Sequence, residues 1–502
     1  MHNCRAGSDA WVLSLGYRPI SLFRERTKAC AWRTRSLSLS RRVAELQRGT
    51  RRSRVANRQS LHWLSSAADL HVHLVGFGLA GAALAFFLCQ RARKDQHVTL
   101  SVVDVARAGC AGGATQAAAG ILHPFTPRAR KIWLGDEGLA CAKEILRAVA
   151  EPEAPPIARR SGLIRLASTE REAADYAAAA TDLYSGELFW DRNRDQLFIP
   201  DAWVVDAPAY VQAIRRYLER YHAEKIMMWE ARQVHSLDDE WRRVQMHLGA
   251  RGAHESFMVV AAGASSKLLI PTLPLTWCGG HNLVYRRQDW IWPVAELAMT
   301  SILADAIPDA NMSDIPVIGG GSYLVPLPDR LRLIGGATKE YGLTQAELLE
   351  AQSRSSAQQM DRARAALEPP LDALFARYAN AARRASTRES SGPTPSRLPG
   401  PVEALYGIRA LPPRNALGAV PLVGEVPQEA LSLLTNASVP ERVRVLYFTG
   451  LGSRGLIHHG IIGRLAAEAV LRGDSLVSLA SVASPSVLAS IRRDAAEAVT
   501  AS

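Results

Sequence analysis

Cysteine is scarce and unpaired in this sequence. Its six cysteines, Cys4, Cys30, Cys89, Cys110, Cys141 and Cys278, form no Cys-x-x-Cys pair and match no histidine cluster. That pattern excludes a disulfide framework and a zinc site and leaves isolated thiols that behave as small buried hydrophobes. Long apolar runs are missing too. The longest candidate, Leu74 to Cys89, is broken by three glycines, so nothing approaches the roughly 18–20 residues of a membrane span. Internal repeats are absent, and no catalytic dyad or triad stands out. Acidic residues are nearly missing from one stretch only: residues 1–68 carry 14 Lys/Arg against three acids, Asp9, Glu25 and Glu45. The rest of the chain has 46 bases and 45 acids, so the formal charge of +12 belongs almost wholly to this leader. A body so close to neutral lacks the basic balance of a nucleic-acid binder.

The composition that remains is that of a globular enzyme. Hydrophobic residues make up 48% of 502, charged residues 22%, and there are 36 glycines, enough for a large core in two or three domains, possibly interleaved. The Arg- and Ser-rich leader 1–68, with pieces such as Arg35-Ser-Leu-Ser-Leu-Ser40, has the make-up of a disordered transit peptide. Its serine content favours chloroplast over mitochondrion, and a basic tail for an anionic partner is the competing reading. Folded structure is expected from about residue 69. Segments 71–75 and 97–104 read as strands around an Ala/Leu/Phe helix from 82 to 93, which together make one βαβ unit. Further strands are expected at 164–167, 198–205, 256–263 and 443–450, and helices at 209–222, 341–385 and 460–471. Short β-prone segments from 277 to 336 point to a separate antiparallel block. Residues 386–400, rich in Ser, Pro and Gly, read as a flexible loop.

Chemistry enters at Gly76-Phe-Gly78-Leu79-Ala80-Gly81. Gly76 permits a tight turn after the strand, Gly78 lets backbone approach a pyrophosphate, and Gly81 lets the helix pack close. The helix N-terminus then offers free N–H groups to phosphate. Asp104 lies 23 positions after Gly81, near the spacing of the acid that accepts hydrogen bonds from a ribose. This unit alone serves FAD and NAD equally.

Four later stretches bring in a family resemblance. Gly113-Ala-Thr115-Gln-Ala117-Ala118-Ala-Gly120-Ile-Leu-His123-Pro, then Val259-Val-Ala-Ala262-Gly263, then Tyr323-Leu-Val-Pro with Gly335-Gly-Ala-Thr338, and Gly407-Ile-Arg409-Ala410 with Pro421-Leu-Val-Gly424 follow one another in order. With Gly450-Leu-Gly452-Ser453-Arg454-Gly455-Leu456, they resemble the D-amino-acid oxidase and glycine oxidase superfamily of FAD-dependent oxidoreductases over residues 71–472. The last string is most similar to the oxidase half of the bifunctional bacterial enzyme that modifies the tRNA wobble uridine. Departures are His123-Pro and Ala410, which stands where the family usually has proline.

The resemblance implies that Thr115, Ala117, Ala118 and Gly120 pass along the flavin, and that Ala262 and Gly263 approach the adenosine end. It implies that Gly450, Gly452, Ser453, Gly455 and Leu456 bring a helix N-terminus to the flavin. Arg409 would bind a substrate carboxylate, Tyr323 would close the pocket, Arg454 would be a second anion-binding group, and His123 would face flavin or substrate. The implied fold is α/β: a discontinuous Rossmann-like FAD-binding domain (69–130, 201–270 and 401–475) with an α+β antiparallel-sheet substrate domain (271–400). A cap segment at 131–200 and a tail at 476–502 complete the chain. The implied reaction oxidises a Cα–N bond of a small amine or amino acid, with hydride passing to flavin N5 and oxygen as acceptor. Three alternatives stay open: a tRNA carboxymethylaminomethyl oxidase, a 2-hydroxy-acid dehydrogenase and a non-catalytic flavoprotein scaffold. No metal is expected, and the oligomeric state is not legible.

Overall fold

The computed structural model describes residues 70–105, 113–248, 255–286, 316–385, 397–434 and 443–474. The leader 1–68, residues 386–396 of the expected loop and the tail 476–502 lie outside these ranges.

Two sheets organise the fold. The first has six strands in the order Leu422–Glu425, Val443–Thr449, Glu255–Val260, Leu70–Val75, Val98–Asp104, Ile226–Ala231. Every pair is parallel except the edge pair of Leu422–Glu425 with Val443–Thr449. Parallel strands need coverage on both faces, which is why even the polar His71, His73 and Ser101 within them are buried. Leu70, Val72 and Leu74 point into a core shared with helices Leu79–Arg91, Gly135–Val149, Ala207–Tyr221 and Gly455–Leu471. Val75, Val103 and Val260 face the opposite side and pack on Leu237, Trp241 and Val244 of helix Leu237–Leu248.

Helices Leu79–Arg91 and Gly455–Leu471 lie side by side and run the same way. A β-carbon on Gly455 would sit 3.2 Å from Leu79 Cδ1, and one on Gly463 only 2.9 Å from Ala83 Cβ. Small residues at 83 and 463 allow this approach, and both helices are buried almost all round. Their N-termini therefore open at the same end.

The second sheet runs Glu340–Tyr341, Thr276–Arg286, Arg332–Gly336, Ser322–Pro326, Val317–Gly320, Leu163–Leu166, Gln196–Ile199, Phe189–Asp191. It is antiparallel except where Val317–Gly320 runs parallel to Leu163–Leu166. One face packs on Leu367, Leu371, Leu374, Phe375 and Tyr378 of the long helix Ser356–Ala385.

Some expectations need correction. Glu403–Leu411, assigned from sequence to the third piece of the nucleotide-binding domain, instead pairs along Thr276–Arg286 in the second sheet. Ala410 lies within that strand opposite Trp277, a place where proline would contribute no N–H to a ladder. The single strand expected at 198–205 is two, Gln196–Ile199 and Trp203–Val205, divided at Pro200-Asp201. The last helix begins at Gly455, five residues before its expected start.

Candidate active site

The parallel strands end together at Val75, Asp104, Val260 and Thr449, and ligands of such sheets bind outside these carboxyl ends. Gly76 turns the chain there with φ of 100°, a conformation that costs an L side chain dearly; its missing β-carbon would also lie 2.6 Å from the Ala261 carbonyl oxygen. At Gly81 a β-carbon would overlap the Gly76 carbonyl oxygen, so helix and strand meet with no room for a methyl group. Phe77 N–H donates to Asp104 Oδ2, fixing the carboxylate beside the loop. Leu79 N–H donates to Thr115 Oγ1 at 3.4 Å, and Ala80 is buried behind it in the first helical turn. Ala262 and Gly263 follow the neighbouring strand, where Thr449 Oγ1 donates to the Gly263 carbonyl at 2.9 Å. Gly450, Gly452, Ser453, Gly455 and Leu456 continue from Thr449 into the last helix. Two helix N-termini thus open beside glycine turns at the same strand ends, where Gly76 and Gly81 leave no room for a β-carbon against neighbouring backbone, an arrangement that fits the phosphates and rings of a dinucleotide.

The segment Gly113–Gly120 leads from these turns to the second sheet. Ala118 N–H closes the short Gly113–Gln116 helix on the Thr115 carbonyl at 3.3 Å. Ala117 donates no side-chain chemistry, but its carbonyl accepts 2.6 Å from Asn282 Nδ2, and a β-carbon on Gly407 would lie 2.7 Å from its methyl. Gly120 packs directly on the Val205 carbonyl. A strip of small residues is therefore clamped between the sheets.

On the sheet face that looks toward this strip, one cross-strand row reads Leu405, Asn282, Gly336, Tyr323, Gly319, Arg165. Side chains of one row share a face. Tyr323 donates its hydroxyl to Asn282 Oδ1 at 2.9 Å, across Gly336, where any β-carbon would overlap the amide oxygen. Arg409 lies four positions along from Leu405 on the same face and turns back over Gly280; its Nη2 would be 2.6 Å from a β-carbon there. Among the described residues Arg409 has no carboxylate partner. Burial holds the Tyr323 hydroxyl above its ordinary pKa against the opposing pull of Arg409 and Asn282, so it acts as a neutral donor.

His123 lies at the other end of the row. Phe125 N–H points at its Nδ1 at 3.1 Å, and Arg165 Nη2 is 3.2 Å from its Nε2. Burial, with Arg165 and Arg454 nearby, holds the imidazole well below its usual pKa and therefore neutral. Arg454 caps the last helix beside the Arg414–Asn415/Gly418–Ala419 hairpin, its Nη1 3.6 Å from where a Gly418 β-carbon would be. Burial and then Arg414 lower its pKa.

Sequence reasoning had singled out Arg409, Tyr323, His123 and Arg454. It missed Asn282 and Arg165, which complete the row, and also the buried pair His458 and His459, whose pKa values burial pushes down to about 4. The available signal for Arg165 was a charge set between apolar residues in Leu163-Ile-Arg-Leu166.

The family model for FAD dependent oxidoreductase (DAO) matches residues 71–469. The chain belongs to this family: it is an FAD-dependent oxidoreductase, and FAD is its cofactor. No curated protein matches it. Among solved structures, glycine oxidase from Geobacillus kaustophilus is 19% identical with a TM-score of 0.49, covering 80% of this chain and 95% of that one. L-Amino acid deaminase from Proteus myxofaciens is 12% identical (TM-score 0.49; 82% and 92% covered). L-Proline dehydrogenase from P. horikoshii is 11% identical (TM-score 0.49; 81% and 95% covered). Among the described residues no helix is long and apolar enough to cross a membrane.

Proposed function

We propose that this enzyme oxidises the Cα–N bond of a small amine or amino acid that carries a carboxylate, with oxygen as the final acceptor. The observation that carries the reading is Arg409: a half-buried guanidinium on the sheet face opposite the Gly113–Gly120 strip, with no acid of its own among the described residues. A planar five-donor fork of this kind suits a two-oxygen anion. When bound, FAD supplies the two-electron acceptor. Gly76, Gly78, Leu79, Gly81 and Asp104 would hold its adenosine diphosphate portion, with Ala262 and Gly263 alongside. Thr115, Ala117, Ala118 and Gly120 would line the flavin, and Gly450 through Leu456 would bring the positive end of the last helix to it. Arg409 orients the carboxylate, and the Tyr323–Asn282 pair closes the pocket and excludes water.

Between Arg409 and Arg165 the row holds Asn282, Gly336, Tyr323 and Gly319, none of which is a base. An amine that arrives unprotonated needs no base there, whereas a hydroxy acid would have to pass its proton to His123, the neutral imidazole beyond Arg165. Anaerobic mixing of the flavoprotein with amino acids, N-substituted glycines and 2-hydroxy acids tests this: the amines should bleach the flavin, whereas bleaching by hydroxy acids alone overturns it. A carboxymethylaminomethyl group on a tRNA uridine is chemically the same target, a secondary amine with a carboxylate, and is the variant suggested by the Gly450–Leu456 string. For residues 1–68 we propose delivery to an organelle, the chloroplast ahead of the mitochondrion; a fluorescent protein carrying them that stays in the cytosol would refute it.

A further inference from the structure

Arg165 takes no part in the reading above. Its strand neighbours Leu163, Ile164 and Leu166 are buried, and its own guanidinium is buried enough to pull its pKa down to about 10, leaving it charged at neutral pH. Among the described residues no carboxylate meets it. Nη1 donates to the Thr126 carbonyl, and Nη2 points at His123 Nε2. That second contact is frustrated. The neutral imidazole carries one proton, and Phe125 N–H already aims at Nδ1. If Nδ1 accepts, Nε2 holds the proton and two donors face each other; if Nδ1 holds it, the Phe125 N–H is opposed instead. Either tautomer leaves a donor without an acceptor in a part of the protein where Arg165 and Arg454 are the charges felt by the ring. An uncompensated buried cation is costly, and an anion accepting from Nη2 and Nε2–H together removes the conflict.

The register places this corner in the substrate's path. Arg165 shares the row with Tyr323, and the position between them is Gly319, where a β-carbon would lie 3.7 Å from Arg165 Cγ, so the arginine stem leans over the glycine toward Tyr323. We infer that Arg165 and His123 form a second anion subsite, so that the substrate is a dicarboxylic amine with one carboxylate on Arg409 and the other on Arg165. This rests on the proposed amine oxidation and narrows its substrate class. Arg409 stands one strand beyond Asn282, but its guanidinium turns back over Gly280, which is four strand steps and two residues along from Arg165, about 20 Å at the usual strand spacings; the reach of Arg165 over Gly319 and an ion-pair length at each end leave the span of a small linear diacid. The competing role for Arg165 is purely structural, a tether for the 123–131 loop through Thr126.

The test uses the FAD-loaded enzyme in two measurements. Dissociation constants from flavin difference spectra are taken for glutarate against pentanoate and adipate against hexanoate, in wild type, Arg165→Gln, Arg165→Lys and Gly319→Leu. Anaerobic flavin reduction is then followed with aspartate, glutamate, 2-aminoadipate and alanine, each as both enantiomers. At least one diacid should bind wild type about 30-fold or more tightly than its monoacid partner, Arg165→Gln should lose about 100-fold for the diacid and its amino acid, and alanine should change less than about threefold. Arg165→Lys should recover part of the loss, and Gly319→Leu should weaken the diacid by displacing the Arg165 stem that lies over this glycine. No preference for either diacid in wild type overturns the inference, even if the Arg165 variants do not fold. Equal losses for alanine and the diacids assign Arg165 to the tether. Should no amine reduce the flavin, amine oxidation itself fails, while the glutarate and adipate titrations still decide whether the subsite exists.

Discussion

Asn282 joins three parts of the site through one amide. Its Nδ2 holds the Ala117 carbonyl and its Oδ1 receives the Tyr323 hydroxyl, so removing it leaves a buried acceptor and a buried donor unsatisfied. Asn282→Leu should destabilise the holoenzyme by about 2–6 kcal/mol, since each of the two orphaned groups costs about 1–3 kcal/mol, and should loosen FAD; thermal melting with and without added FAD reads both effects. Arg409→Leu is expected to leave melting nearly unchanged while lowering kcat/KM for carboxylate-bearing amines by about 100- to 1000-fold, the consequence of about 3–4 kcal/mol of charge-assisted binding. Arg409 and Tyr323 were readable in the sequence because each sits inside a recognisable string. Asn282 and Arg165 were not, since their meaning comes from a cross-strand row assembled from segments up to 240 positions apart, from Arg165 to Leu405. Within its own strand, Asn282 is simply a polar residue between His281 and the run Leu283-Val-Tyr285.

The long helix Ser356–Ala385 shows periodicity overriding local propensity at the level of the element. Pro369 and Pro370 sit inside it, each removing a backbone donor at a cost of about 3 kcal/mol in an ordinary helix. Yet Leu367, Leu371, Leu374, Phe375 and Tyr378 repeat at the spacing of one helical face and are all buried against the sheet. Leu371 also fills the space that glycine leaves at 335, where its Cδ1 would be 2.7 Å from a β-carbon. Leu371→Ala should therefore cost about 2–5 kcal/mol, readable as a drop in the denaturation midpoint with little change in KM, because this face lies opposite the active site. The helical pattern was legible for that reason. The strand Glu403–Leu411 was misassigned because an apolar β-prone run carries no label for the sheet it joins; its partner Thr276–Arg286 begins 127 residues earlier.

In the whole molecule, the nucleotide-binding sheet also carries a buried charge network on the face away from its long helices. His73 Nε2 lies 2.7 Å from Glu240 Oε1, and Arg232 reaches both Glu240 oxygens at 2.5 Å. Burial alone would raise the Glu240 carboxyl, but hydrogen bonds from His73 and Arg232 outweigh it and hold the pKa at about 2, below the ordinary 4.5. Because the folded value is depressed, the stabilisation is full above the unfolded pKa and fades as pH falls from about 4.5 toward 2, on the order of 3 kcal/mol in all. Glu240→Gln should flatten the acid limb of a stability-versus-pH curve in that window and leave it unchanged near pH 7 apart from a uniform loss.

The proposed sharing of FAD between the two adjoining helices also sets a time at which the protein should first become able to hold it. Leu79 and Gly455, whose close approach opens both N-termini at the same end, are separated by most of the chain. A ribosome adding roughly 5–20 residues per second needs about 20–75 s between them. Until Gly455 emerges, a nascent chain has the first glycine loop but not the second, so on the proposed mode of FAD binding flavin capture is expected only in the last moments of synthesis or on refolding afterwards. Chains ending at residue 434 should emerge colourless, and those ending at residue 474 yellow.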